Sequence, residues 1–259
     1  MNAELLLMFT LGRDRAFLYG HPEYKLTAEE QARYDDALGQ RSRGIPAQYI
    51  TGHQEFWGMD FIVSPAVLIP RPETEHVIEE VLAHVGRAPS PANRLRVVDV
   101  GTGSGCIALA LAKELPQAEI HATEISPEAL EIARSNAARL QLERVQFHEG
   151  DLLNGIEKNS FDFVVSNPPY VGESEEDSVQ LDVRKFEPRN AVFAGPNGLE
   201  VIENLIPQAH DVLKPDGWLV MEISGTIASR VGKLLKSWKN VQITKDLQGI
   251  ERIVSAQRP

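Results

Sequence analysis

From Leu95 onward the chain alternates between two apolar patterns. Short runs predict strands: LRVVDV (95–100) and FDFVVSN (161–167), whose apolar residues suit burial, and AEIHATEI (118–125), RVQFHEGD (144–151) and GWLVMEI (217–223). Between them, SGCIALALAKEL, SPEALEIARSNAARL, GLEVIENLIPQAHDVL and TIASRVGKLLKSW repeat apolar residues at helical spacing. Ser126 and Pro127 supply the N-cap and first position of the second of these helices, and the third is expected to continue through Pro207. The closing VQITKDLQGIERIVSAQ reads as two strands around a glycine turn. Strands that alternate with helices build a parallel sheet covered on both faces. The expected class is therefore α/β, a mostly parallel sheet with an antiparallel C-terminal edge.

Upstream the pattern changes. Residues 2–9 and 28–43 predict helices, the second opened by Thr27 as N-cap with Glu30 at the capping-box position. HQEFWGMDFIVSPAVLI is rich in aromatic and β-branched residues, with Gly58 and Asp60 near its middle, and predicts a β-hairpin. PRPETEHVIEEVLAHV predicts a helix with proline and acids in its first turn, and GRAPSPANR (86–94) a loop. His76 and His84 are expected on the exposed face of that helix. The division is a helical segment over 1–50, a hairpin linker over 51–69 and the α/β domain over 70–259.

Two places carry candidate chemistry. The first is VVDVGTGSGC, where Gly101, Gly103 and Gly105 recur at every second residue between strand and helix. Glycine lets a ligand approach the backbone, and the free N–H groups of the helix start attract an anion. A dinucleotide fingerprint places its third glycine one residue later, so the spacing favours S-adenosylmethionine. Asp99 stands ready for that cofactor's ammonium group. Glu124 and Asp151 close the next two strands, suited to ribose hydroxyls and an adenine amino group, with Leu152 against the ring.

The second is NPPY (167–170). Pro168 and Pro169 fix φ and remove two N–H donors, which frees neighbouring carbonyls from the sheet. The Asn167 side-chain oxygen and a backbone carbonyl then accept both hydrogens of a planar –NH₂ group, and Tyr170 packs on its flat face. A turn needs neither the amide nor the aromatic ring. Orientation and preorganised polarity would supply most of the catalysis.

Composition narrows the field. Of 259 residues, 42% are hydrophobic and 24% charged, as in globular proteins, and no apolar run is long enough to span a membrane. The opening residues lack a basic leader and a cleavage site, so no signal peptide is expected. The net charge of −11 argues against a nucleic-acid substrate, and GESEEDS (172–178), just after Tyr170, adds acid at the site. That segment has the composition of a solvated loop. One cysteine, Cys106, excludes an internal disulfide, fits a reducing cytoplasm and is expected in the core. Scattered histidines predict no metal.

NPPY after a strand resembles the motif of methyltransferases acting on exocyclic nitrogens: adenine-N6 DNA methylases, guanine-N2 RNA methylases and glutamine-N5 protein methylases. EFWGMDFIVSPAVLIPRPETE, FEPRNAVFAGPNGLEVI and DLQGIERIV resemble the HemK/PrmC family, the release factor glutamine methyltransferases, over nearly the whole chain. This implies a Rossmann-like class I methyltransferase domain joined by the hairpin to an N-terminal helical domain that grips the release factor. It also implies methylation at N5 of the glutamine in the Gly-Gly-Gln loop of class 1 peptide chain release factors. By resemblance, Gly101, Thr102, Gly103, Ser104, Gly105, Glu124, Asp151, Leu152 and Asn167 bind the cofactor. Asn167, Pro168 and Tyr170 are catalytic, and with Pro169 they bind substrate between walls from Phe56 and Arg71. By the same resemblance, the N-terminus is expected to be short of the family's by about one opening helix. A cytoplasmic monomer is expected, with the release factor as partner and with neither nucleic acid nor membrane. The alternatives are an adenine-N6 nucleic-acid methyltransferase, which must flip its base, and a cofactor-binding protein without turnover.

Overall fold

The computed structural model describes residues 2–91 and 94–259. It opens with helices α1 (Asn2–Leu11), α2 (Arg15–Gly20), α3 (Ala28–Ser42) and α4 (Ala47–Thr51). α1 and α3 follow the sequence pattern; α2 and α4 are too short to show a helical period. Local chemistry starts them instead: the Asp14 carboxylate accepts from Phe17 N at 2.8 Å, and Pro46 precedes α4. The capping box before α3 is present, with Thr27 Oγ1 accepting from Glu30 N at 3.2 Å and Glu30 accepting from Thr27 N at 2.8 Å.

Strands β1 (His53–Phe56) and β2 (Met59–Ile62) form the expected hairpin. Its turn residues Trp57 and Gly58 have φ of 53° and 64°, the twist that joins antiparallel strands tightly. The hairpin is bolted to the α/β layer through Asn136, which accepts from Ile62 N at 2.7 Å and donates to Ile62 O at 3.0 Å.

After α5 (Glu75–His84) come β3 (Arg96–Val100), α6 (Cys106–Glu114), β4 (Glu119–Glu124), α7 (Pro127–Arg139), β5 (Gln146–Glu149) and β6 (Phe161–Ser166). Then follow α8 (Leu181–Phe186), α9 (Arg189–Val192), α10 (Glu200–Val212), β7 (Leu213–Glu222), α11 (Ala228–Leu234), β8 (Lys239–Lys245) and β9 (Glu251–Gln257). The strands join in the order β5-β4-β3-β6-β7-β9-β8. The first five are parallel, and β9 runs antiparallel between β7 and β8. This is the mostly parallel sheet with an antiparallel edge that the pattern predicts.

Alternation along the strands sorts the core into two layers. Val97, Phe163, Val165 and Val220 pack with Val77, Ile78 and Val81 of α5 and with α6. Val98, Val164, Leu219 and Met221 pack with α10 and α11. The expectation for His84 fails here. Spacing from Val77 and Val81 turns it inward, and it is 4% exposed. Its ring stacks on Trp218 at 3.8 Å and 11°, and Nε2 meets Glu80 Oε1 at 2.9 Å.

In the predicted loop, Val85–Arg87 forms a 3-10 turn and Ser90 N donates to Asp162 at 3.0 Å; residues 92 and 93 lie outside the described residues. Among the described residues no helix is long and apolar enough to cross a membrane, and no cluster of His, Cys, Asp and Glu has metal-ligating geometry.

Candidate active site

The C-terminal ends of the parallel strands point to one edge, where open α/β sheets bind ligands. Two cavities open there. One, of about 330 Å³, is lined by Gly101, Thr102, Gly103, Ser104, Glu124, Ile125, Asp151 and Leu152. The other, of about 700 Å³, is lined by Arg41, Gln48, Glu73, Pro168, Tyr170, Glu222 and Arg252 among others. Asn167, Pro169 and Arg71 line both.

The loop between β3 and α6 forms the floor of the smaller cavity. Gly101 and Gly103 take φ of 69° and 56°, and a Cβ built on either meets no protein atom within 4 Å. The cradle is therefore open on its cavity side. Gly105 differs: an added Cβ would lie 3.2 Å from Leu109 and 3.3 Å from Ala133, so this glycine lets α6 pack on α7 rather than reach the cavity. Glu124 holds the loop and the next turn together. Its Oε2 accepts from Gly103 N at 2.9 Å, and Oε1 accepts from Ile125 N at 2.9 Å and Ser126 N at 3.0 Å. Leu152 sits at φ 52°, a strained setting for a branched side chain.

Asp99 is placed differently from expectation. It lies sealed beneath the loop, accepting from Thr102 Oγ1 at 2.6 Å and from Ala108 N at 3.2 Å. Burial raises its pKa to about 7. It braces the loop and caps α6; it does not face a ligand. Cys106 behaves as a core residue, its thiol pushed up to about 12 by burial and then by Asp99.

β6 ends at Ser166, whose hydroxyl donates to Val100 O at 2.8 Å and pins the strand end beside the glycine loop. Asn167 follows. Its Nδ2 donates to Thr74 Oγ1 at 3.1 Å, and Thr74 Oγ1 donates to Glu222 Oε2 at 2.6 Å. Tyr170 OH donates to the other Glu222 oxygen at 3.1 Å. Glu222 is buried, which pushes its pKa up; the bonds from Thr74 and Tyr170 and the Arg252 charge pull the other way. Burial, then the Glu222 charge, pushes the Tyr170 phenol up.

Arg71 is paired with Glu187, whose second oxygen accepts from Ile69 N at 3.1 Å. This pair ties the linker to the end of α8. Phe56 does not wall either cavity. It is 1% exposed, packed edge-on to Phe61 at 6.1 Å within the layer beneath α5. The β1 alternation that buries it points it away from the site. The acidic segment is also more ordered than its composition implies. It forms a 3-10 turn, Glu173–Ser178, with Arg189 on Glu176 at 3.0 Å and Arg184 on Asp177 at 2.7 Å.

Thr74, Glu187 and Glu222 escape the sequence reading. One signal was present: Glu222 closes an otherwise apolar buried run, where a charge needs partners.

Comparison with known proteins bears on this arrangement. The PrmC N-terminal domain family matches residues 1–52, and the Methyltransferase small domain family matches residues 81–184. A release factor glutamine methyltransferase of Koribacter versatilis is 56% identical over 260 residues, covering 100% of this chain and 91% of the relative. The chain belongs to the release factor glutamine methyltransferase family. Another release factor glutamine methyltransferase, from Geobacter sulfurreducens, is 40% identical over 99% of this chain and 89% of its own length. Two solved structures share the fold at low identity. A methyltransferase from Pyrococcus furiosus has a TM-score of 0.56 at 20% identity, covering 90% of this chain and 99% of its own. The hMettl16 catalytic domain has a TM-score of 0.62 at 18% identity, covering 81% and 79%. As a release factor glutamine methyltransferase, the chain carries its NPPY corner where the two cavities join.

Proposed function

We propose that this methyltransferase moves a methyl group from S-adenosylmethionine to N5 of the glutamine in the Gly-Gly-Gln segment of class 1 release factors. The observation that carries the reading is that Asn167 and Pro169 line both cavities. One cavity then holds the methyl donor and the other the protein segment.

The residues present fit the donor. The open glycine cradle leaves room against the backbone, and Glu124, Asp151 and Leu152 line the same cavity. Gly101 to Ser104, Glu124, Asp151 and Leu152 would hold it. When bound, S-adenosylmethionine supplies an electrophilic methyl group and leaves as S-adenosylhomocysteine. Asn167 Oδ1 and the Pro168 carbonyl accept the two hydrogens of the glutamine amide. That pairing draws the nitrogen toward pyramidal geometry and turns its lone pair toward the smaller cavity. Tyr170, anchored by Glu222, packs against the carboxamide plane. The nitrogen loses one proton after it gains the methyl, so no strong base is needed. Losing one such preorganised contact costs roughly 10²–10³ in turnover.

The larger cleft also suits a peptide. Arg41, Pro46, Ala47 and Gln48 of the N-terminal segment line it together with Gln180, Asp182 and Val183, and Arg41 reaches Asp182 at 3.9 Å. This supports a reading in which the helical segment helps recognise the release factor. Its cations Arg41, Arg71 and Arg252 are interleaved with Glu73, Asp182, Glu187 and Glu222, a mixed field unlike a phosphate-tracking groove. We place the activity in the cytoplasm, where release factors work. The test is mass spectrometry of the Gly-Gly-Gln tryptic peptide after incubating a release factor with enzyme and S-adenosylmethionine. A single added methyl on the glutamine is expected; an unmodified peptide beside an active control enzyme overturns the reading.

A further inference from the structure

We infer that Thr74 and Glu222 decide which end of the Asn167 side-chain amide faces the substrate. The inference rests on the reading above, in which Asn167 accepts from the glutamine nitrogen. An asparagine amide has two ends of nearly equal shape and opposite polarity. Only the oxygen end can receive a substrate –NH₂; the other end would set donor against donor. Something must hold the right end forward.

The hydrogen-bond chain behind Asn167 does so by proton counting. Glu222 as a carboxylate only accepts, and two hydroxyls converge on it, Thr74 at 2.6 Å and Tyr170 at 3.1 Å. Thr74 has one proton and spends it on Glu222. Its remaining lone pairs face Asn167, so it can only accept there. Asn167 accordingly offers Nδ2 at 3.1 Å and leaves Oδ1 for the cavity. The reverse orientation would bring two oxygens together next to buried groups. Residues far apart in sequence, on the 3-10 turn Pro72–Thr74 and at the end of β7, thus act through Asn167. They are positioning residues.

The charge of Glu222 sets the direction of the chain. A protonated Glu222 can donate to Thr74, which then donates to Asn167 Oδ1 and inverts the amide. The groups facing Glu222 are Tyr170 after β6, Thr74 and Glu73 on the 3-10 turn, Arg252 on β9 and the Cys106 thiol on α6. Burial raises its pKa above the ordinary carboxylate value, and Glu73 adds to the shift while Arg252 opposes it. Turnover should therefore fall on the acid side as Glu222 takes up its proton.

The test uses the full chain with a purified release factor. Thr74→Val is expected to lower kcat roughly tenfold, to change KM little, and to leave the Kd for S-adenosylhomocysteine within about twofold. Thr74→Ser, which keeps the hydroxyl, restores most of the loss. Glu222→Gln lowers kcat and removes the acid limb of the pH profile, because nothing there titrates. Wild-type kcat in Thr74→Val, with Asn167→Ala inactive, overturns the inference and leaves the proposed function standing. Full turnover in Asn167→Ala overturns both. If Thr74→Val fails to fold, the pH profile of Glu222→Gln decides: an unchanged acid limb rejects the proposal.

Discussion

Glu124→Gln isolates what one carboxylate does for the glycine loop. The native side chain receives three backbone N–H groups, one from Gly103 on Oε2 and two from Ile125 and Ser126 on Oε1. A glutamine has one oxygen and one –NH₂, so one end must now oppose donors with a donor. The cheaper choice keeps the oxygen on Ile125 and Ser126 and turns –NH₂ toward Gly103. The loop then loses the Gly103 bond to Glu124, while Gly101 N and Thr102 N still donate to Thr123 O of β4, and the cofactor site loses one acceptor. Losing a charge-assisted bond and leaving an N–H unpaired costs about 1.5–3 kcal/mol. That is about 10- to 100-fold in affinity if the loss falls on binding. Calorimetric titration with S-adenosylhomocysteine reads the Kd, and hydrogen exchange at Gly103 reads the loop. Weaker binding with a less protected Gly103 and little change in kcat at saturating cofactor are expected. A Kd unchanged within about twofold refutes the reasoning.

Other perturbations follow from the same structure. Asp99 has an ordinary pKa of 3.8 and a buried value of about 7. Between these the folded chain keeps a proton that the unfolded chain has lost, so this group makes stability fall as pH rises through that window. Asp99→Asn should flatten urea-measured stability there; parallel pH profiles contradict it. Glu187→Ala strands the Arg71 guanidinium and Ile69 N–H, and should cost about 2–3 kcal/mol and raise KM for the release factor. A change below about 0.5 kcal/mol argues against a structural role for the pair. Gly198→Ala places a Cβ 2.6 Å from Tyr170 O and 2.8 Å from Gly172 N at φ 76°. The chain after the NPPY corner must move, so kcat should drop together with the melting temperature; an unaltered kcat contradicts the placement.

Much of this molecule is legible in its residues. Apolar-rich runs mark β3, β6 and β7 because both faces of a parallel sheet are buried, and the glycine loop and NPPY corner stand out by local chemistry. What escaped depends on distance in sequence. Thr74 and Glu222 acquire meaning only when the fold brings them to Asn167. His84 looks like a surface histidine until Trp218 from β7 slides beneath it. Phe56 sits within the family signature, yet strand alternation sends it into the core. Asp99 precedes the loop in sequence but lies under it in space, because its strand position is buried on both sides. α2, α4, α8 and α9 span only four to six residues, too few to leave a periodic trace.

The most direct measurement is a crystal structure of the enzyme with a release factor and S-adenosylhomocysteine. The account predicts the glutamine side-chain nitrogen within hydrogen-bond distance of both Asn167 Oδ1 and the Pro168 carbonyl, about 2.9 Å each, with Asn167 Nδ2 still on Thr74. A glutamine amide held elsewhere, or Asn167 presenting its nitrogen, would contradict it.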